Sequence, residues 1–263
     1  MSKNIASIFW KTIGNGNNDL IMLHGWALNS SVWTCIIPYL SSRFRLHLVD
    51  LPGYGKSYSY GSLTLDDMSE KIALQFPQNA FWLGWSLGGL IATKVAYKYP
   101  NIVSGLITVS FSPRFCASND FWPGVKPEVL KNFLSRLNKN SHHTVNRFFS
   151  LQTKGTASSK QDARKLKNIY SSSPVKNEVL ISGIDLLYKS DLRAILSRLN
   201  MPLLHLYGLL DNIVPNNVIP LIDRLNLSSQ KVVFSNAGHV PFISHSELFC
   251  QVLSDFIQSN FEG

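Results

Sequence analysis

The chain has 263 residues, of which 45% are hydrophobic, so it can bury one sizeable core and is excluded from the disordered class. Residues 72–93 carry no charge, but several polar residues and a proline interrupt them, which excludes a membrane span. The net charge of +9 is uneven, because residues 121–200 hold 14 Lys and Arg against 5 Asp and Glu, a surplus equal to that of the whole chain.

Short apolar runs predict six buried strands, and helical patterns separate the later ones. The predicted strands are Leu20–Leu23, Leu46–Val49, Ala80–Leu83, Gly105–Val109, Pro202–Tyr207 and Gln230–Phe234. Alternating strands and helices of this kind predict an α/β fold, in which helices flank a mostly parallel central sheet. A last helix is predicted from Pro241 to the end of the chain.

The stretch 116–198 differs from the rest because it is strand-poor, basic and helical in period. We interpret it as a helical lid inserted over the carboxyl edge of the sheet. Residues 1–115 and 199–263 then form the core of the fold.

Cysteine content and the first residues suggest where the protein works. Cys35, Cys116 and Cys250 are odd in number, far apart and without metal-ligand spacing. The start of the chain has no apolar run behind a basic head, as a secretory signal would have. We therefore expect a reduced, cytoplasmic enzyme with no disulfide framework.

The stretch "FWLGWSLGGL" places one hydroxyl, Ser86, where a predicted strand turns into the predicted helix Leu87–Tyr99. Such a turn strains the central residue, and only small residues fit beside it, which explains glycines two positions before and two after. The turn exposes the hydroxyl, and the helix N-terminus behind it favours negative charge. In this context the pattern favours a nucleophilic serine over a serine that merely fills a turn.

A serine hydroxyl needs a histidine to take its proton and a carboxylate to orient that histidine. In this type of sheet the partners follow the serine in the order acid, then histidine, each in a loop after a strand. "LLHLYGLLDNIVP" places Asp211 after the fifth predicted strand, and "KVVFSNAGHVPFISH" places His239 after the sixth. We therefore predict a catalytic triad of Ser86, Asp211 and His239.

Other histidines are weaker candidates for the base, because none of them ends a late predicted strand. His142 and His143 lie in the basic stretch, and His47 and His205 lie within predicted strands. His245 falls six residues past His239, inside the predicted closing helix. His24 follows the first predicted strand, and we interpret it as a structural residue of that turn.

An acyl-transfer site also needs two hydrogen-bond donors aimed at the carbonyl oxygen as it gains charge. The backbone amide of Leu87 supplies one donor from the helix start. The loop at Gly25 and Trp26 is the natural source of the second, although Trp26 could also be a packing residue. We predict an oxyanion hole formed by Trp26 and Leu87, and no metal or cofactor is required.

These motifs resemble the α/β-hydrolase family, and within it the methyl ester esterases of biotin biosynthesis. The resemblance covers nearly the full length and is carried by "LHGWALNSSVW", "LHLVDLPGYGKS", "FWLGWSLGGL", "WPGVKPEVL", "RFFSLQTKGT", "LYGLLDNIVP" and "GHVPFISH". The tryptophan before the serine is more telling than the turn itself, because many relatives carry histidine there.

The resemblance implies roles for particular residues of this chain. The nucleophile falls on Ser86, the acid on Asp211 and the base on His239, while oxyanion and substrate contacts fall on Trp26 and Leu87. Acyl-chain contacts fall on the lid stretch that comprises Phe148, Phe149, Ser150, Leu151 and Gln152.

The resemblance also implies a substrate and a partner. The substrate is a pimeloyl chain with a methyl ester at its far end, tethered by a thioester to an acidic acyl carrier protein. A basic lid would attract that carrier, and Arg147, Lys160 and Arg164 match positions where such relatives present arginines. Lysine at 160 keeps the charge without the planar guanidinium, and His143 stands where another arginine is expected.

Other interpretations remain open from the sequence alone. The basic stretch can also be an ordinary solvated helix face, and nucleic acid is a weaker explanation because no recognition motif is present. The enzyme can be a broad carboxylesterase that ignores the carrier, or the scaffold can serve as a ligand receptor with little turnover. We expect a monomer that binds neither nucleic acid nor membrane.

Overall fold

The computed structural model describes residues 7–261. Within them, seven strands form one sheet in the order β1-β3-β2-β4-β5-β6-β7. The strands are β1 Trp10–Ile13, β2 Asn18–Leu23, β3 Phe44–Val49, β4 Ala80–Trp85, β5 Val103–Val109, β6 Leu203–Gly208 and β7 Gln230–Phe234. The prediction about a secretory signal concerned residues 1–16, of which the first six lie outside the described residues.

The six predicted strands are confirmed, and their bounds agree with the structure within two residues. They pair in parallel, while β1 pairs antiparallel with β3 at the edge of the sheet. The prediction missed β1 because Trp10, Lys11 and Thr12 are all exposed. An edge strand without buried residues has no apolar run that would identify it.

Helices pack against the sheet and also form the segment between β5 and β6. They are α1 Ile37–Leu40, α2 Leu65–Ala73, α3 Leu87–Lys98, α4 Pro127–Lys139, α5 Ser141–Gln152, α6 Ser159–Ser172, α7 Asn177–Lys189, α8 Arg193–Leu196, α9 Ile219–Leu225, α10 Pro241–Ser244 and α11 Ser246–Ser259. Throughout residues 7–261, no helix has both the length and the apolar character that crossing a bilayer demands.

Two predictions about helices have different outcomes. Helices α4 to α8 lie between β5 and β6, in the stretch predicted as a lid, whose limits at 116 and 198 stay predictions. The prediction of a single closing helix is wrong, because the helix is interrupted between α10 and α11. His245 stands at that break with φ −134° and ψ 44°, so it precedes α11 instead of lying inside a helix.

The buried strand β4 lies at the centre of the sheet, and all six of its residues are buried. Parallel strands bring the loops after their carboxyl ends to one edge of a sheet, where α/β proteins bind ligands. The residues that follow β2, β4, β6 and β7 include Trp26, Ser86, Asp211 and His239 respectively. The topology therefore gathers all four at one edge.

Candidate active site

Ser86 occupies a strained turn between β4 and α3. Its φ of 55° and ψ of −113° lie outside the conformations that side-chain-bearing residues usually adopt. Two backbone hydrogen bonds hold the turn, from Ser86 N to Val109 O at 2.9 Å and from Gly89 N to Ser86 O at 2.9 Å. The structure thus places this serine on the sharp strand-to-helix turn that the sequence predicts.

The glycines around Ser86 are required by backbone contacts. A Cβ atom on Gly84 would lie 2.4 Å from Gly88 O, and one on Gly88 would lie 2.4 Å from Leu23 O. Both distances are shorter than van der Waals contact allows. Glycine at these positions therefore lets α3 start directly against β4 and β2.

Asp211 and His239 form a buried pair. His239 Nδ1 donates to Asp211 Oδ2 at 2.7 Å, and the two side chains are 0% and 1% exposed. The other carboxylate oxygen, Asp211 Oδ1, accepts from Ile213 N at 2.7 Å and Val214 N at 3.1 Å. Because its own loop holds the carboxylate, Asp211 fixes the imidazole with Nε2 left as the nitrogen that can accept a proton.

His239 Nε2 is buried and makes no hydrogen bond to any group of residues 7–261. A hydrogen bond from Ser86 to this nitrogen is therefore not formed in the structure. Catalytic hydrogen bonds of this kind often tighten only when substrate binds. The ring of His239 nevertheless lies 5.8 Å from that of Trp85, the residue immediately before Ser86.

Trp26 and Leu87, the predicted oxyanion residues, follow the carboxyl ends of β2 and β4. Leu87 is the first residue of α3, and the first amides of a helix have no partner within it. The side chain of Trp26 is buried and its Nε1 donates to Leu180 O of α7 at 2.9 Å, which leaves its backbone amide as the group available for the oxyanion. Their function as an oxyanion hole stays a prediction.

His24 has the structural role that the sequence suggested. Its Nδ1 donates to Gly25 O at 2.8 Å, and its Nε2 accepts from Leu51 N at 3.0 Å. Burial lowers its pKa, which favours the neutral ring that these two bonds require. His24 thus links the turns that follow β2 and β3.

The predicted acyl-chain stretch divides between two sides of α5. Phe148 is half-buried with its ring 5.2 Å from that of Trp26, and Phe149 and Gln152 are buried. Ser150 and Leu151 are exposed instead, and Ser150 lines an outer groove. The structure therefore brings only part of the stretch toward Trp26.

A third aromatic residue, which was not predicted from the sequence, lies beside Trp26 and Phe148. The ring of Phe133, on α4, lies 5.6 Å from that of Trp26 and 5.7 Å from that of Phe148. The repeat of apolar residues at 130, 133, 134 and 137 could have pointed to it as an inward-facing residue of α4.

The predicted carrier contacts lie on exposed faces of α5 and α6. Lys160 and Arg164 are exposed and line a groove of about 500 Å³ between α5 and α6. Two further cations, Lys154 and Lys167, line the same groove and were not predicted. Arg147 is also exposed on α5, but it is outside the lining of this groove.

The fold, the strained serine turn and the buried acid–base pair together define an α/β hydrolase. A family model described as the alpha/beta hydrolase fold matches residues 19–246, and the chain belongs to that family. Pimeloyl-[acyl-carrier protein] methyl ester esterases are similar to it over most of its length. The relative from Sodalis glossinidius is 54% identical, with 97% of this chain and 99% of the relative covered. The relative from Klebsiella pneumoniae is 50% identical, with 94% and 96% covered.

Solved structures with lower sequence identity share the fold. An esterase from Exiguobacterium antarcticum superimposes with a TM-score of 0.88 at 22% identity, with 95% of each chain covered. A bromoperoxidase from Bacillus anthracis gives a TM-score of 0.88 at 20% identity, again with 95% of each chain covered. At these identities the likeness shows the architecture alone.

Proposed function

We propose that this chain is a serine carboxylesterase that hydrolyses the methyl ester of pimeloyl-[acyl-carrier protein] methyl ester in biotin biosynthesis. The products are pimeloyl-[acyl-carrier protein] and methanol. The observation that carries the proposal is the identity of 50–54% with esterases of that name over most of both chains. The buried pair of His239 and Asp211 beside the Ser86 turn supplies the chemistry that such an ester requires.

In the proposed mechanism, Ser86 Oγ attacks the ester carbonyl carbon while His239 Nε2 takes the hydroxyl proton. The resulting oxyanion accepts hydrogen bonds from the amides of Leu87 and Trp26, and losing one such donor typically costs about a hundredfold or more in rate. His239 then protonates the departing oxygen, and methanol leaves. Water attacks the acyl-enzyme, its proton passes through His239 back to Ser86, and the carboxylate is released.

The aromatic cluster of Trp26, Phe133 and Phe148 supports an apolar acyl chain as the bound group. Its rings meet edge to face at 5.2 to 5.7 Å, an arrangement that presents apolar surface beside the predicted oxyanion amide of Trp26. The methylene groups of a pimeloyl chain would pack against these rings. Of the predicted acyl contacts, we propose Phe148, Phe149 and Gln152 for this role and expect less from Ser150 and Leu151.

The outer groove supports an acidic partner. Its four cations, Lys154, Lys160, Arg164 and Lys167, lie together on the exposed side of the lid. A patch of one sign raises the rate at which an oppositely charged protein arrives and fixes its orientation. We propose that the acyl carrier protein docks here, with Arg147 as an additional contact. We also propose that the enzyme acts as a monomer in the cytoplasm.

One assay tests the reaction itself. The protein is incubated with pimeloyl methyl ester on its carrier, and mass spectrometry determines which bond is cleaved. We expect loss of the methyl group with the thioester intact, and no turnover by Ser86→Ala. Release of the acyl chain from the carrier, or ordinary turnover by Ser86→Ala, would contradict the proposal.

Salt dependence separates this function from that of a broad esterase that ignores the carrier. Raising the salt from about 0.05 M to about 0.3 M shortens the range of electrostatic attraction to well under 10 Å. It should therefore slow hydrolysis of the carrier substrate much more than that of p-nitrophenyl butyrate. Arg164→Glu should raise KM for the carrier substrate alone, and Lys71→Glu, an exposed change on α2, serves as the charge control. Equal salt dependence for both esters would favour the broad esterase, and absent turnover would favour a receptor.

A further inference from the structure

The backbone of His239 is held on both sides by groups from distant parts of the chain. The indole Nε1 of Trp85 donates to His239 O at 2.9 Å. On the other side, His239 N donates to Gln152 O, at the end of α5, also at 2.9 Å. We call these two bonds the backbone clamp. They fix the position of the main chain from which the imidazole extends, whereas Asp211 fixes the rotation of the ring.

Trp85 is suited to this role because it is itself immobilised. It is fully buried as the last residue of β4, with its ring 5.2 Å from that of Phe242. A Cβ atom on Gly25 would lie only 2.8 Å from the indole, so the loop that carries Trp26 rests directly on this ring. The side chain of Trp85 thus contacts both His239 and the predicted oxyanion loop. The next residue in the chain is Ser86.

The second half of the clamp depends on Gly238. A Cβ atom at this position would lie 2.5 Å from Gln152 O, too close for the carbonyl to stay where it is. The backbone of Gly238 is not in a left-handed conformation, so glycine is needed here for the close approach and not for a strained turn. Because Gln152 is buried, its carbonyl has no water to replace the amide of His239.

We propose that Trp85 is a positioning residue for the catalytic base and that it acts together with the carbonyl of Gln152. The inference depends on the proposed function, since the position of His239 matters to the rate only if His239 transfers protons. A displacement of about 1 Å in a catalytic group can cost about a hundredfold in rate. Loss of either half of the clamp should therefore lower kcat while substrate binding is kept.

The chain offers a matched control for Trp85. Trp82 lies in the same strand and is equally buried, but its Nε1 has no hydrogen-bond partner within residues 7–261. Trp85→Phe and Trp82→Phe therefore make the same chemical change in the same strand, and only the first removes a hydrogen bond to His239. For p-nitrophenyl butyrate, we expect Trp85→Phe to lower kcat about 10- to 100-fold with KM unchanged. Inactivation by a fluorophosphonate, which reports the reactivity of Ser86, should slow in the same proportion.

Gly238→Ala tests the other half of the clamp and keeps the inference testable if Trp85→Phe does not fold. It should also lower kcat with KM unchanged, whereas Gly61→Ala, where a Cβ atom meets nothing within 4 Å, should leave both constants as they are. Normal kcat in folded Trp85→Phe and Gly238→Ala would overturn the clamp, as would an equal loss of kcat in Trp82→Phe. Full turnover by Ser86→Ala would instead overturn the proposed function itself, so the two failures are distinguishable.

Discussion

We expect acid to destabilise this protein through His205, a fully buried histidine in β6, the strand that leads to Asp211. Its Nδ1 lies 2.6 Å from Thr108 Oγ1, and its ring stacks on that of Phe111. Its Nε2 has no hydrogen-bond partner among the residues that the structure describes. Burial lowers the pKa of His205 from 6.5 to about 4, because the imidazolium would lose its hydration without gaining a counter-charge.

The size and the pH range of the effect follow from these two values. The unfolded chain binds a proton at this histidine near pH 6.5, but the folded protein binds it only near pH 4. The stability that the neutral ring contributes is therefore complete above pH 6.5 and is lost as the pH falls from 6.5 toward 4. Since a tenfold difference in proton affinity equals about 1.4 kcal/mol, the loss amounts to about 3 kcal/mol.

Urea unfolding of the wild type and of His205→Leu, each measured near pH 7.5 and near pH 4, checks this prediction. The wild type should lose about 3 kcal/mol more of its unfolding free energy than the variant does across this range. His143→Leu, which removes an exposed histidine of α5, should lose as much unfolding free energy as the wild type. If His205→Leu and the wild type lose equal stability, the folded protein tolerates the buried charge and the reasoning is refuted.

Three further changes test other parts of the structure. Gly88→Ala should lower the unfolding free energy in urea by about 1–3 kcal/mol, because the new Cβ atom meets a backbone oxygen of β2 at 2.4 Å. Asp211→Asn keeps the size of the side chain but removes the charge that stabilises the protonated base, so kcat for p-nitrophenyl butyrate should fall about a thousandfold or more with KM nearly unchanged. Asp191, whose pKa is lowered from 3.8 to about 2 mainly by its hydrogen bond to Arg193, stabilises the fold above pH 3.8 and loses that effect toward pH 2. Asp191→Asn should thus lower the melting temperature at pH 7, and the difference from the wild type should shrink in acid.

The chain order of Ser86, Asp211 and His239 was readable from the sequence because each follows a buried strand with a recognisable apolar run. Parallel strands then bring the three to one edge, so local patterns are sufficient to gather them. Strand β1 could not be predicted from the sequence, because its exposed residues form no apolar run. The prediction that His245 lies inside a helix was wrong for a related reason. The helical pattern of the sequence continues through residue 245, although the helix is interrupted there.

Contacts between segments that are distant in the sequence could not be predicted from apolar spacing. Nothing in the periodicity of α5 indicates that Gln152 O meets the backbone of His239, or that Phe133 joins Trp26 and Phe148. Such contacts depend on how the helices between β5 and β6 pack at the sheet edge, which apolar spacing does not determine. The distribution of charge identified residues 121–200 as a basic stretch, but only the structure shows that Lys154 and Lys167 share a groove with Lys160 and Arg164.

Helix α5 contributes to the proposed carrier site, to the proposed acyl site and to the position of His239. Its half-buried Phe148 packs against Trp26, and its last residue, Gln152, accepts a hydrogen bond from His239 N through its carbonyl. Its exposed side contributes Ser150 to the wall of the basic groove and carries Arg147. One short helix therefore borders both the proposed carrier site and the proposed acyl site. Movement of the end of α5 away from the sheet would break the hydrogen bond from His239 N to Gln152 O, so the position of this helix and that of His239 are coupled.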